Sequence, residues 1–141
     1  MPAFETPEPV AVTLRIGTGL VRFLADDRTD TVVEVLPTDP DRDADVRLAE
    51  QTQVGCAGGR LHIEAPRQGT LFGRPPSVDI VIELPAGSRV EAEAAWADFR
   101  AEGRLGRTRV KTSTGDIRLA ETGPRRAVLA LGDRVPADVR D

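Results

Sequence analysis

The sequence predicts an all-β protein: N-terminal antiparallel strands leading into a short parallel β-solenoid, with at most one short helix near residues 45–51. Three observations predict it. Short runs alternate apolar and polar residues, as in Val78, Ile80, Ile82 and Leu84 with Asp79, Val81 and Glu83 between them, and a period of two puts every second side chain on one face. Lys111 to Leu119 contains two such runs joined by Gly115-Asp116, with Thr112 and Thr114 on one face before the corner and Ile117 and Leu119 after it. That corner recurs. An offset of 96 residues superposes Thr18, Gly19, Val21, Arg22 and Phe23 on Thr114, Gly115, Ile117, Arg118 and Leu119. Asp98-Phe99-Arg100, preceded by Val90, Ala92 and Ala94, echoes the same pattern. Gly132-Asp133 follows Gly115-Asp116 by 17 positions, so Ala127, Leu129 and Leu131 fall where Val110, Thr112 and Thr114 fell. A period of roughly 17 to 20 residues fits rungs that cannot bury their apolar faces without a stacked neighbour.

In chain order, Pro7 and Pro9 end a flexible leader over 1–9. Val10 to Ile16 alternates, Gly17-Thr18-Gly19 turns, and Leu20 to Leu24 returns, as a hairpin or a rung corner. Thr31 to Leu36 is a strand ended by Pro37, and Asp43 or Asp45 is placed to cap a helix over Val46 to Gln51. Gln53 to Ala57 pairs with Arg60 to Ala65 through Gly58-Gly59, which supplies the positive φ of a tight hairpin. A Pro/Gly-rich mobile loop at 66–76 precedes the strand Ser77 to Leu84, and Pro85-Ala86-Gly87 turns the chain into the rungs. The whole reads as one domain over 1–141: antiparallel strands at 10–88, solenoid-like rungs at 89–133, and a frayed or capping tail at 134–141. The expected inner face is Val12, Leu14, Ile16, Val21, Phe23, Val78, Ile80, Ile82, Val90, Val110, Ile117 and Leu119, with Arg107, Arg109 and Lys111 outside. An open Leu129 and Leu131 row would favour weak end-to-end self-association.

Leu84-Pro85-Ala86-Gly87-Ser88-Arg89-Val90, Gly103-Arg104-Leu105-Gly106 and Thr112 to Leu119, in that order, resemble the bacterial β-strand-repeat (β-solenoid) family of unknown function labelled the putative-adhesin family. Ala49 to Thr52 and Gly58 to Leu61 share the likeness, which spans most of residues 4–124. The resemblance implies a parallel β-solenoid approached through antiparallel strands. It implies no catalytic residues and names no ligand. Family members commonly continue through further Gly-Asp rungs, so this chain resembles a short member lacking several C-terminal ones.

Composition narrows the function. Hydrophobic residues make up 40% and charged residues 30%, which is the balance of a folded domain. Cys56 is the sole cysteine, so neither an intramolecular disulfide nor a cysteine zinc site can be assembled. No signal peptide or run of about eighteen apolar residues is encoded. The cytoplasm is therefore the default location, although the adhesin label would imply a surface role. Net charge is -4, yet residues 97–141 carry 10 basic and 7 acidic groups against 9 and 16 in residues 1–96.

Asp39 to Glu50 has the acidic spacing of a calcium loop, but Ala44 occupies the position that needs Gly and no helix precedes it. Gly17-Thr18-Gly19 lacks the third Gly of a dinucleotide loop and precedes a strand. The Gly-Asp corners lack the dense glycine repeats of calcium-binding solenoids. A Cys56-His62 pair would need an activated thiolate that nothing nearby supplies. The reading is thus a non-enzymatic β-repeat structural or interaction (adhesin-like) domain, without cofactor or metal, binding an unknown protein or carbohydrate. The alternative is anion or nucleic-acid binding through Arg107, Arg109 and Lys111 on one outer strand face. The absence of aromatics between Arg100 and Asp141 disfavours nucleic acid.

Overall fold

The computed structural model describes residues 2–66, 75–119 and 127–130. The strands are β1 (Ala3–Glu5), β2 (Ala11–Asp26), β3 (Asp30–Pro37), β4 (Gln53–Ala57), β5 (Arg60–Glu64), β6 (Val78–Pro85), β7 (Arg89–Glu102), β8 (Thr108–Thr114), β9 (Ile117–Leu119) and β10 (Ala127–Ala130), with one helix, α1 (Asp43–Gln51). They form one mixed ten-stranded sheet that curls into a nearly closed barrel.

The long strands β2 and β7 organise it. Along one edge β2 pairs in parallel first with β5 and then with β6; along the other it pairs in parallel with β7 over nearly its whole length. β7 pairs in the same way with β8 and then β9, and β10 adds to β8. Antiparallel strands complete the other side, β4 on β5, β3 on β6 and β1 on β3. The expected division into antiparallel strands at 10–88 and a parallel solenoid at 89–133 is therefore corrected. β2, β5 and β6 belong to the parallel stack, and the antiparallel strands turn the whole into a mixed barrel. Gly17 and Gly19 are not among the glycines with positive φ, so Gly17-Thr18-Gly19 cannot make a tight primed hairpin. It carries β2 around a bend as one strand.

The sequence repeat is the stacking register. Val21 lies beside Phe99 and Phe99 beside Ile117; Arg22, Arg100 and Arg118 form the next such column, which is the 96-residue offset realised as two adjacent pairings. At the bend the inward positions change parity, from Ile16 to Val21 in β2, from Ala94 to Ala97 in β7, and from Thr112 to Ile117 between β8 and β9. β10 departs from its expected register by two residues, with Leu129 opposite Val110 and Ala127 opposite Thr108.

Small residues mark the bend because backbones meet there. Gly19 pairs with Ala97, and a Cβ added at Gly115 would collide with the Ala97 carbonyl, just as one at Gly19 would collide with that of Val78. Gly115 also has φ +138, a conformation that favours glycine. Of the predicted inner face, all eleven residues from Val12 to Ile117 are buried, and Arg107, Arg109 and Lys111 are exposed. The Leu119 side chain, the 67–74 part of the predicted loop, and the tail with Leu131 lie outside the described residues, as do the side chains of Val128 and Leu129.

The helix begins three residues earlier than expected, and its capping expectation is corrected. Arg42 is the N-cap residue and makes no side-chain cap hydrogen bond. Asp45 instead turns inward, 1% exposed, and accepts from Asp39 N at 3.1 Å, Arg42 Nη1 at 3.0 Å and Ser77 N at 3.0 Å. A buried carboxylate persists only with such partners. Through them it fixes both the turn before α1 and the entry to β6, while Leu48 packs into the core.

Substituting Ile117 with Asp should cost on the order of 4 kcal/mol by burying an unpaired carboxylate. Replacing Gly115 by Ala should cost about 2 kcal/mol or more, whereas Gly17→Ala, with open space around it, should stay within about 0.5 kcal/mol. Urea unfolding of the three variants checks this ranking; equal stability of the two alanine variants would contradict it.

Candidate anion-binding face

The outer surface over the first half of the bend is a grid, because β5, β2, β7 and β8 run parallel there and in register. Its first row is Arg60, Ala11 and Arg89, continued by Arg107 immediately before β8. The second is His62, Thr13, Glu91 and Arg109, and the third is Glu64, Arg15, Glu93 and Lys111. In the second row Arg109 Nη1 lies 3.6 Å from Glu91, and in the third Arg15 Nε lies 3.9 Å from Glu93. All four of these side chains are more than half exposed, so these pairs are weak and screened. They nonetheless alternate sign across the strands, whereas the first row holds three guanidinium groups and no carboxylate.

The backbone fixes this row. Ala11 N donates to Gly59 O, Arg89 N to Val10 O, and Val90 N to Arg107 O, each at 2.9 Å. Gly58 and Gly59 both adopt positive φ, as the hairpin reading requires, and so set Arg60 at the start of β5. Ser88, fully buried, accepts from Val10 N at 3.0 Å and donates to Pro85 O at 2.7 Å, while its own carbonyl accepts from Gly106 N at 2.7 Å. Gly106 lies so close that a Cβ there would press on the Gly87 carbonyl and on Arg89 Cγ. With only Ala11 between Arg60 and Arg89, the row becomes an open recess of about 310 Å³.

The predicted basic stripe is thus divided. Arg109 is matched by Glu91, and Lys111 sits in register with Glu93; Arg107 instead joins Arg60 and Arg89. These last two were not singled out in the sequence, although the Gly-Gly hairpin and the equivalence of Val90 with Val12 would have aligned them with Ala11. Cys56 and His62 do not form a pair. Cys56 lies opposite the inward Leu61 and packs partly buried against the core, with burial pushing its thiol up from the ordinary value, whereas His62 points outward to Glu64 at 3.2 Å. In the acidic loop the Asp39 carboxylate serves the turn, with Asp41 N donating to Asp39 Oδ1 at 3.0 Å. Among the described residues, no three His, Cys, Asp or Glu side chains group as metal ligands. No helix among them is long and apolar enough to cross a membrane.

No family model matches the sequence, and no curated protein matches it. Among solved structures, the chain is similar to a putative cell adhesion protein from Clostridium sporogenes, with 13% identity and a TM-score of 0.49. The match covers 84% of this chain and 59% of that one, so the chain spans less than two thirds of that protein's length.

Removing the Ser88 hydroxyl with Ser88→Ala should leave Val10 N without its acceptor and cost about 1 to 3 kcal/mol, with faster hydrogen exchange at Val10. His62→Ala should stay within about 0.5 kcal/mol. A thermal shift from the histidine change as large as that from the serine would contradict this assignment.

Proposed function

We propose that the protein is a non-enzymatic structural or interaction domain of adhesin-like character. Its solenoid-like parallel strand stack serves as a rigid scaffold, and its outer faces meet a partner protein or carbohydrate. The observation that supports this reading best is the grid itself. Backbone pairing holds charged side chains at fixed intervals on the outer surface, and such a surface can complement a partner with matching spacing. Cys56 faces the inner side of the sheet and Asp45 is held by three donors. The second reading, anion binding through a basic face, draws support from the uncompensated first row rather than from the full Arg107, Arg109 and Lys111 stripe.

Screening the intact immobilised chain against protein and glycan arrays tests the proposal. Saturable retention of a partner that mass spectrometry recovers chemically unchanged is expected. Conversion of a retained partner to product would overturn the non-enzymatic reading.

A further inference from the structure

We propose that Arg60, Arg89 and Arg107 form a binding row for an extended acidic polysaccharide, each guanidinium engaging sulfate or carboxylate groups along the chain. This rests on the interaction reading above and adds the residues and the ligand class.

Charge accounting across the surface singles out this row. A second arginine column, Arg22, Arg100 and Arg118, runs across the other half of the bend. It is bracketed on one side by Asp79, Asp98 and Asp116 and on the other by Glu83 and Glu102, with Arg22 Nη2 3.7 Å from Glu102. The Arg60, Arg89 and Arg107 row ends the grid, with the row of Glu91 beside it. Glu91, the one carboxylate lining the recess, lies beside Arg109 at 3.6 Å. Among the described residues, none of the three row arginines has an ion-pair partner within 4.0 Å. Like charges in adjacent strands repel, and a bound polyanion would relieve that repulsion.

Shape selects the ligand class. Interstrand spacing puts Arg60 and Arg89 about 10 Å apart across Ala11, and extends the row to about 14 Å at Arg107. These donors lie along a line, which suits repeated charges on a chain better than one compact anion. Guanidinium forks grip sulfate and carboxylate oxygens in pairs. Sequence-tolerant binding of single-stranded nucleic acid combines such charge with aromatic platforms on which bases stack. Among the described residues, the exposed aromatic side chain is Trp96, 53% exposed, which stands at the bend beside Thr18, away from this row. The face therefore offers charge without stacking.

Titration of labelled heparin and polygalacturonate oligosaccharides against the full chain, with single-stranded DNA of equal charge as competitor, tests the proposal. Heparin binding indicates sulfate recognition and polygalacturonate binding indicates carboxylate recognition; binding to either supports the row, and binding to neither overturns it. Arg60→Glu, Arg89→Glu and Arg107→Glu should each weaken binding by about tenfold or more, whereas Arg100→Glu on the other face should change it by less than about twofold. Unaltered melting temperatures confirm that the variants fold, and Arg60→Gln with Arg89→Gln gives a milder second test. Equal loss from Arg100→Glu, unchanged binding after row reversal, or DNA that competes as well as the glycan would overturn the assignment. A chain that binds neither glycan but captures a protein partner unchanged would refute this row and leave the interaction reading standing; turnover of a partner would refute the latter alone.

Discussion

Everything in this fold depends on how closely the backbones approach at the bend. For β2 and β7 to pass from one half of the sheet to the other while remaining paired, neighbouring carbonyls must lie where a side chain would ordinarily begin. Gly19 against Val78 and Gly115 against Ala97 meet that condition, and Gly103 against Ala25 repeats it where β7 ends. Once those positions are small, the parallel register follows, and with it the columns that bury Val21, Phe99 and Ile117 together. The parity change has the same origin. Residues on the convex side of the bend, such as Thr18 and Trp96, point outward in succession, so the inner face resumes one position later.

In-register parallel stacking also dictates the surface. Equivalent positions of successive layers sit side by side, so a repeated arginine meets another arginine and a repeated acid meets another acid. The chain balances this in two ways: by alternating sign between strands, as with Arg15 and Glu93, and by alternating rows, as where the Arg22 column lies between acidic ones. The end of the grid escapes both devices. Its three arginines are held by an otherwise ordinary network of backbone hydrogen bonds and one buried serine, and that combination of a fixed frame and unbalanced charge sets it apart.

Much of the architecture was legible in the residues. Period-two alternation identified the strands and the inward residues, and the Gly-Asp repeat with its parity reset aligned the positions that stack in β2, β7 and β9, although β2 was expected among antiparallel strands. The direction of pairing was harder to read. Gly17-Thr18-Gly19 has the composition of a turn, and only its backbone conformation distinguishes a bend in one strand from a reversal between two. The helix start was misplaced for a comparable reason: Asp43 and Asp45 both have the chemistry of a cap, but the second is drawn inward by partners as distant in sequence as Ser77. The arginine row was illegible locally, since Arg60, Arg89 and Arg107 come from three separate segments and converge only through the register on either side of Ala11.

The ties around Asp45 have a consequence for how this chain can vary. β5 and β6 lie end to end along one edge of β2, joined by the stretch from Ala65 to Ser77. Its two ends are anchored separately, Ala65 N to Arg15 O on one side, and Pro75 O to Arg42 with Ser77 N to Asp45 on the other. The end of β5 and the start of β6 are thus held by independent ties, so a change around Asp45 acts on β6 without passing through β5.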